Sequence, residues 1–201
     1  MPKIVDHDER RREIVEVVWR LIADEGIQAV TTRRIAEVSG TANGALRYYF
    51  PNKEAALTAA FEYIVAATNR RADAVDAHRH GLGGLRTLCL EIMPLDAERR
   101  AEARLAINFW QQALNQPDKA GLYATMTGAW RVEIADRLGE AVGDGDVGAD
   151  AVRPAVVDGL LSLLMGLQIE AVLTPGVCTP ERQLAQLDEY LGRLAVSWGA
   201  S

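Results

Sequence analysis

Residues 31–50 read TTRRIAEVSGTANGALRYYF, and the spacing of three of them decides how the chain is to be read. Ala36 is small enough for two helices to cross closely, Gly40 permits a sharp turn four residues later, and Leu46 packs the second helix back on the first. A DNA-reading helix-turn-helix needs this order, because its recognition helix must stand at a steep angle to its support. Thr31 is a natural N-cap for a helix over Thr32–Ser39, with Ile35, Ala36 and Val38 facing inward, and Gly40 breaks it. A third short helix fits Ala42–Tyr48, with Thr41 as one possible cap; Pro51 closes the segment because proline cannot continue a helix. A plain helical hairpin carries the same triplet, so by itself it leaves both readings open.

Outward from this stretch the pattern stays helical. From Asp8 onward Ile14, Val17, Val18, Leu21 and Ile22 recur at amphipathic spacing until Gly26. Asn52 caps a long fourth helix from Lys53 to about Ala77. Past Gly81-Leu82-Gly83-Gly84, breaks near Pro94, Pro117, 143–148 and 175–180 leave five more helices, at about 83–93, 96–115, 118–142, 151–174 and 180–198. No period-two strand pattern occurs, so the expected class is all-α with about nine helices. A helix-turn-helix head over 8–65 would be followed by a helical body over 66–201.

Composition is that of a globular chain, with 49% apolar and 25% charged residues in 201. The longest apolar stretch, Gly159–Leu167, is too short to span a bilayer, and Met1-Pro2-Lys3 leads into acidic residues rather than a secretory signal. A cytoplasmic protein with no membrane partner is expected. Net charge is −6 overall, but residues 1–60 hold nine bases and nine acids, so the negative excess belongs to the rest. The bases of the first part gather in Arg10-Arg11-Arg12, Arg33-Arg34, Arg47 and Lys53, either a nucleic-acid patch or ordinary solvated helix faces.

Catalytic chemistry has little to stand on. His7, His78 and His80 lack the Cys or acidic partners of a zinc site. No nucleophile elbow or phosphate loop appears. Asp144-Gly145-Asp146 lacks the twelve-residue calcium pattern and reads as a surface turn. Cys89 and Cys178 lie far apart and read as buried, inert thiols. No metal, cofactor or catalytic residue is expected.

The helix one ending Asp24-Glu25-Gly26, Thr31, Ile35-Ala36, Gly40, Gly44-Ala45-Leu46 and the run Tyr48-Tyr49-Phe50-Pro51-Asn52-Lys53-Glu54 together resemble the TetR family of transcriptional regulators. Pro94-Leu95-Asp96-Ala97-Glu98-Arg99-Arg100, with Asp158-Gly159-Leu160, resembles the C-terminal domain of the betaine-aldehyde-responsive subgroup. The resemblance implies a homodimeric repressor released from a palindromic double-stranded DNA operator by a small effector it does not identify. An activator, an effector-independent DNA-binding protein and a helical enzyme are the alternatives. In the family's geometry Thr41, Ala42, Asn43 and Arg47 would face base edges, and Thr32, Arg33, Tyr48, Tyr49 and Lys53 would hold phosphates, with Thr31 and Gly44 completing the surface. Tyr48 could equally be an aromatic prop between helices three and four. Many members carry Val-Ser-Lys where this chain has Thr41-Ala42-Asn43, and Tyr where it has Arg47, differences that would alter the operator and leave the activity in place.

The last helix repeats Leu184, Leu187, Leu191, Leu194 and Trp198 at spacings of 3, 4, 3 and 4, a narrow seam that requires a helical partner. The helix before it is apolar nearly all round. By resemblance the two would meet their copies in a four-helix dimer interface through these residues and Leu160, Leu164 and Leu167. Phe61, Phe109, Trp110, Met126, Trp130 and Met165 fall on inward faces and read as core. The family keeps an effector cavity in that region, which they would line with Asn108, Gln111 and Gln168 orienting the ligand. A cationic effector could lie over the Trp and Tyr faces.

Overall fold

The computed structural model describes residues 6–76 and 80–196, so Trp198, His78 and the expected helix end at Ala77 lie outside the described residues. These form nine α-helices and two short 3-10 turns, with no strand. The helices are α1 (His7–Glu25), α2 (Thr32–Ser39), α3 (Asn43–Tyr49), α4 (Lys53–Asp76), α5 (Gly81–Ile92), α6 (Ala97–Ala113), α7 (Pro117–Gly143), α8 (Pro154–Leu173) and α9 (Pro180–Val196). The 3-10 turns, Ile27–Ala29 and Ala149–Val152, are shorter than the 3.6-residue periodicity can reveal.

Local chemistry accounts for most of the helix starts. Asp6 accepts from the backbone N–H of Asp8 and Glu9 at the start of α1, Thr31 from Arg34 for α2, Asn52 from Ala55 for α4, and Asp96 from Arg99 for α6. Pro117 and Pro154 open α7 and α8, where the missing N–H costs nothing. The start of α3 differs from the expectation. Ala42 occupies the cap position and, being alanine, has no side-chain acceptor, while the Thr41 hydroxyl is engaged by Arg10.

Two cores result. The head core joins Ile14, Val18 and Ile22 of α1 to Ile35, Leu46, Phe50, Leu57 and Phe61. It does not stop at the expected boundary near residue 65, for Leu105, Ala106 and Phe109 of α6 belong to it as well. The body core packs α5, α7, α8 and α9 around Leu85, Leu88, Ile134, Leu138, Leu160, Leu164 and Leu187. Gly81 lets α5 meet α7. Its φ is +56°, and a Cβ there would stand 3.1 Å from the Ala141 Cα. Cys89 lies wholly inside, and burial pushes its thiol up to about 12, which leaves it protonated and inert.

Among the described helices only α8 is long and apolar enough to cross a membrane. Its Val157, Leu160, Leu161, Leu164 and Leu167 side is body core. The other side is open, with Ile169, Leu173 and, just past the helix, Val177 exposed.

The leucine seam of α9 points the other way from the expectation. Leu187 is fully buried, Leu191 and Leu194 are nearly so, and Leu184 is half-buried, all within one chain. Leu160, Leu164 and Leu167 of α8 are likewise closed off in the same core. The seam's helical partner is the protomer itself. Arg86–Asp188 and the Tyr190 hydroxyl donating to the Val156 carbonyl at 2.8 Å add polar ties between α9 and its neighbours. The opposite faces of α8 and α9 are the ones left open, with Ser162, Ile169, Ala185 and Gln186 exposed.

Candidate DNA-binding surface and effector cavity

The turn between α2 and α3 is built around Gly40, whose φ of +64° closes α2 in the left-handed region. The Thr41 N–H reaches back to the Ala36 carbonyl at 3.0 Å. Arg10 of α1 clamps this turn, its Nη2 donating to the Ser39 carbonyl at 2.9 Å and to the Thr41 hydroxyl at 2.8 Å. Thr41 is therefore buried and spent on the clamp, not turned to a base edge as expected. Sequence reading missed Arg10 because it sits in a run of three arginines that looks uniformly solvated.

Beside the turn, Thr31, Thr32, Arg33, Ala42, Asn43, Gly44 and Arg47 are all exposed. Tyr48 is 73% exposed, which excludes a role as a prop between helices. Its ring meets Tyr49 edge-on at 5.3 Å and His7 at 5.4 Å, and the half-buried Tyr49 hydroxyl pairs with His7 Nδ1 at 3.0 Å. Lys53 is half-buried, its Nζ donating to the Ile27 carbonyl at 3.3 Å. Arg34 is committed to Glu25 and Glu37 and stays out of the exposed basic set. A short helix with Asn43 and Arg47 outward, flanked by Arg33 and the N-terminus of α2, can enter a major groove while hydroxyls and amides take phosphates.

Behind the head, α4, α6, α7 and α8 enclose a cavity. Phe61, Trp110, Met126, Trp130, Met165 and Gln168 line it as expected. Three residues do not. Phe109 is buried against the head side and stacks on Phe61 with ring centroids 4.0 Å apart, Asn108 accepts from Gln112, and Gln111 faces solvent. Thr68, Ile92, Tyr123 and Thr127 join the wall, together with two charged residues, Arg99 and Glu102.

Those charges belong to a network at the cavity wall. Arg71 grips Glu102 with both terminal nitrogens, at 3.0 and 2.9 Å, and reaches Glu91 at 2.9 Å; Arg99 joins Glu91 at 2.6 Å and also pairs with Asp96. Burial holds the Glu102 carboxyl above the usual range, since the cost of desolvation exceeds what Arg71 returns. Arg99 Nε is buried at the cavity wall with no hydrogen-bond partner. Charged residues on an amphipathic helix ordinarily read as its solvated face, which is why this network was not foreseen.

The cavity is narrow, about 40 Å³, enough for about three waters. Four aromatic side chains, a buried carboxylate and flexible methionines make it a site for a small organic molecule, provided that the walls give way.

A helix-turn-helix surface on a head that shares a helix with a small-molecule cavity defines a DNA-binding regulator. The model for bacterial regulatory proteins of the TetR family matches residues 14–60, and the model for the C-terminal domain of BetI-type transcriptional repressors matches residues 83–196. The chain belongs to the TetR family of transcriptional regulators, with a body of the BetI type. It is similar to the regulator PksA of Bacillus subtilis, 27% identical over 87% of this chain and 84% of that one. It is also similar to the regulator BetI of Burkholderia mallei, 22% identical over 96% and 97%. In fold it resembles a putative transcriptional regulator from Saccharomonospora viridis in complex with choline, with a TM-score of 0.81, 24% identity and coverage of 92% and 97%. A regulator from Rhodococcus sp. Rha1 follows at TM-score 0.77 and 21% identity, covering 92% and 95%.

Proposed function

We propose that the chain acts in the cytoplasm as a dimeric repressor on a two-fold symmetric operator, and that a small organic cation entering the cavity releases it. The observation that carries the reading is the shared helix α6. Its Arg99, Glu102, Ala103, Ala106 and Trp110 line the cavity, while its Leu105 and Phe109 lie in the head core. An effector that displaces α6 or α4 moves the head as well, because both helices contribute side chains to the head core. Trp110, Tyr123 and Trp130 offer ring faces to a cationic group. The choline held by the Saccharomonospora relative supports this chemical class.

Operator titrations with and without choline test the reading. Coupling of about 1–3 kcal/mol lowers operator affinity by roughly 5- to 150-fold, and by linkage the operator weakens choline binding by the same factor. Equal operator affinity in both conditions, with choline shown by thermal shift to bind, would leave an effector-independent DNA-binding protein.

Base reading and phosphate holding by the head separate by mutation. Arg47→Ala is expected to cost roughly 1–3 kcal/mol on the operator and to relax preference at one base pair of each half-site. Lys53→Ala should weaken operator and random duplex alike and reduce the salt slope by about one. Equal losses on both duplexes for both variants would overturn this division of labour.

A further inference from the structure

The cavity and a neighbouring recess meet at one side chain. Trp130 of α7 is the only residue shared between the inner cavity and a separate recess of about 240 Å³ lined by Asn69, Ala72, Asp73, Leu88, Glu133 and others. Its indole Nε1 donates to Asn69 Oδ1 at 3.1 Å, across to α4. That hydrogen bond is exposed, so water can replace it at low cost. Turning the indole out of this position would join the two spaces. The recess carries the carboxylates of Asp73 and Glu133 against one guanidinium, Arg137, which bonds Glu133 at 3.0 Å and Glu140 at 3.4 Å.

We propose that Trp130 is a swinging gate latched by Asn69, and that the recess is the vestibule through which an organic cation reaches the inner cavity. This rests on the effector class proposed above and adds the route and its control. The vestibule's excess negative charge raises the local concentration of a cation, and the indole face can hold it in transit. On the far side of the cavity an apolar recess bounded by Trp110, Tyr123, Met165 and Ile169 offers a cation no countercharge.

The latch is closed both before and after binding, so it should govern rates and cancel from the equilibrium. With choline as the probe and tryptophan fluorescence in a stopped-flow instrument as the signal, Asn69→Ala and Asn69→Leu are each expected to raise kon and koff together. The factor is roughly 2- to 10-fold, the worth of one ordinary hydrogen bond, with Kd and choline-free operator affinity within about twofold of the unsubstituted protein. The double variant Asp73→Asn/Glu133→Gln should lower kon alone and flatten its dependence on salt. A residue that merely packs on the bound ligand would change koff and Kd and spare kon. Unchanged rates in both Asn69 variants, with choline still binding, would overturn the gate and leave the effector reading intact. Absence of choline binding to the unsubstituted protein would sink the effector class and the vestibule together.

Discussion

Replacing Leu187 with aspartate is expected to unfold the regulatory body rather than to release monomers. Leu187 has no exposed surface and sits among Leu85, Leu88, Leu160 and Leu164 in the core of one chain. The substitution removes a buried leucine and leaves a carboxylate without a partner, and each defect alone costs several kcal/mol. A total of about 5 kcal/mol or more approaches the whole stability of an ordinary domain. Loss of cooperative melting by circular dichroism, with aggregation, is the anticipated result. A well-folded monomer in sedimentation, with its helical signal intact, would show that the seam is an interface between copies after all.

A charge on the opposite side of the same helix pair should do the reverse, separating copies while sparing the fold. Leu163, Gly166, Ala185 and Gln186 border an open groove of about 700 Å³ between α8 and α9, continuous through Leu163 with a second of about 370 Å³. Val177 lines it as well, and the exposed Ile169 and Leu173 add further apolar surface on α8. In the proposed dimer this is the face that α8 and α9 leave open to a second copy, since their other side is closed in the protomer's own core. A Cβ added at Gly166 meets nothing within 4 Å, so Gly166→Arg leaves the protomer undisturbed and places a long cation where the partner would pack. Sedimentation should give the 21.9 kDa monomer. Operator affinity should fall by roughly 100- to 10,000-fold, the avidity that two linked half-sites supply. Unchanged mass and affinity would move the interface elsewhere on the molecule.

The two substitutions frame how a signal crosses the molecule. A single lever, α4, is the obvious candidate from sequence, since it runs about 36 Å from Lys53 to Asp76. The packing adds a second arm. Phe61 of α4 stacks on Phe109 of α6, so displacement of either helix at the cavity is transmitted to the head through that pair as well as along α4. Two rigid elements tied at one stacked contact move together, which favours rotation of the head as a unit over bending of α4.

By itself the sequence determined the elements whose cause is local. Thr31, Asn52, Gly40 and Pro117 act through hydrogen bonds and dihedral limits within a few residues, so their helix boundaries are legible from the chain alone, and the Ala36, Gly40, Leu46 spacing identifies the head. The cavity's aromatic residues were legible in part, because large side chains on inward faces must meet somewhere. What only the tertiary structure decided is which neighbour each face meets. The 3, 4, 3, 4 seam of α9 satisfies a partner helix of its own protomer as well as one of another copy, for apolar contact is non-directional and periodicity carries no address. The same limit hid the pairing of Arg71 with Glu91 and Glu102, which lie 20 and 31 residues away on other helices. It also hid the use of Thr41, whose hydroxyl is a cap by local rule and a partner of Arg10, 31 residues away, in the folded chain.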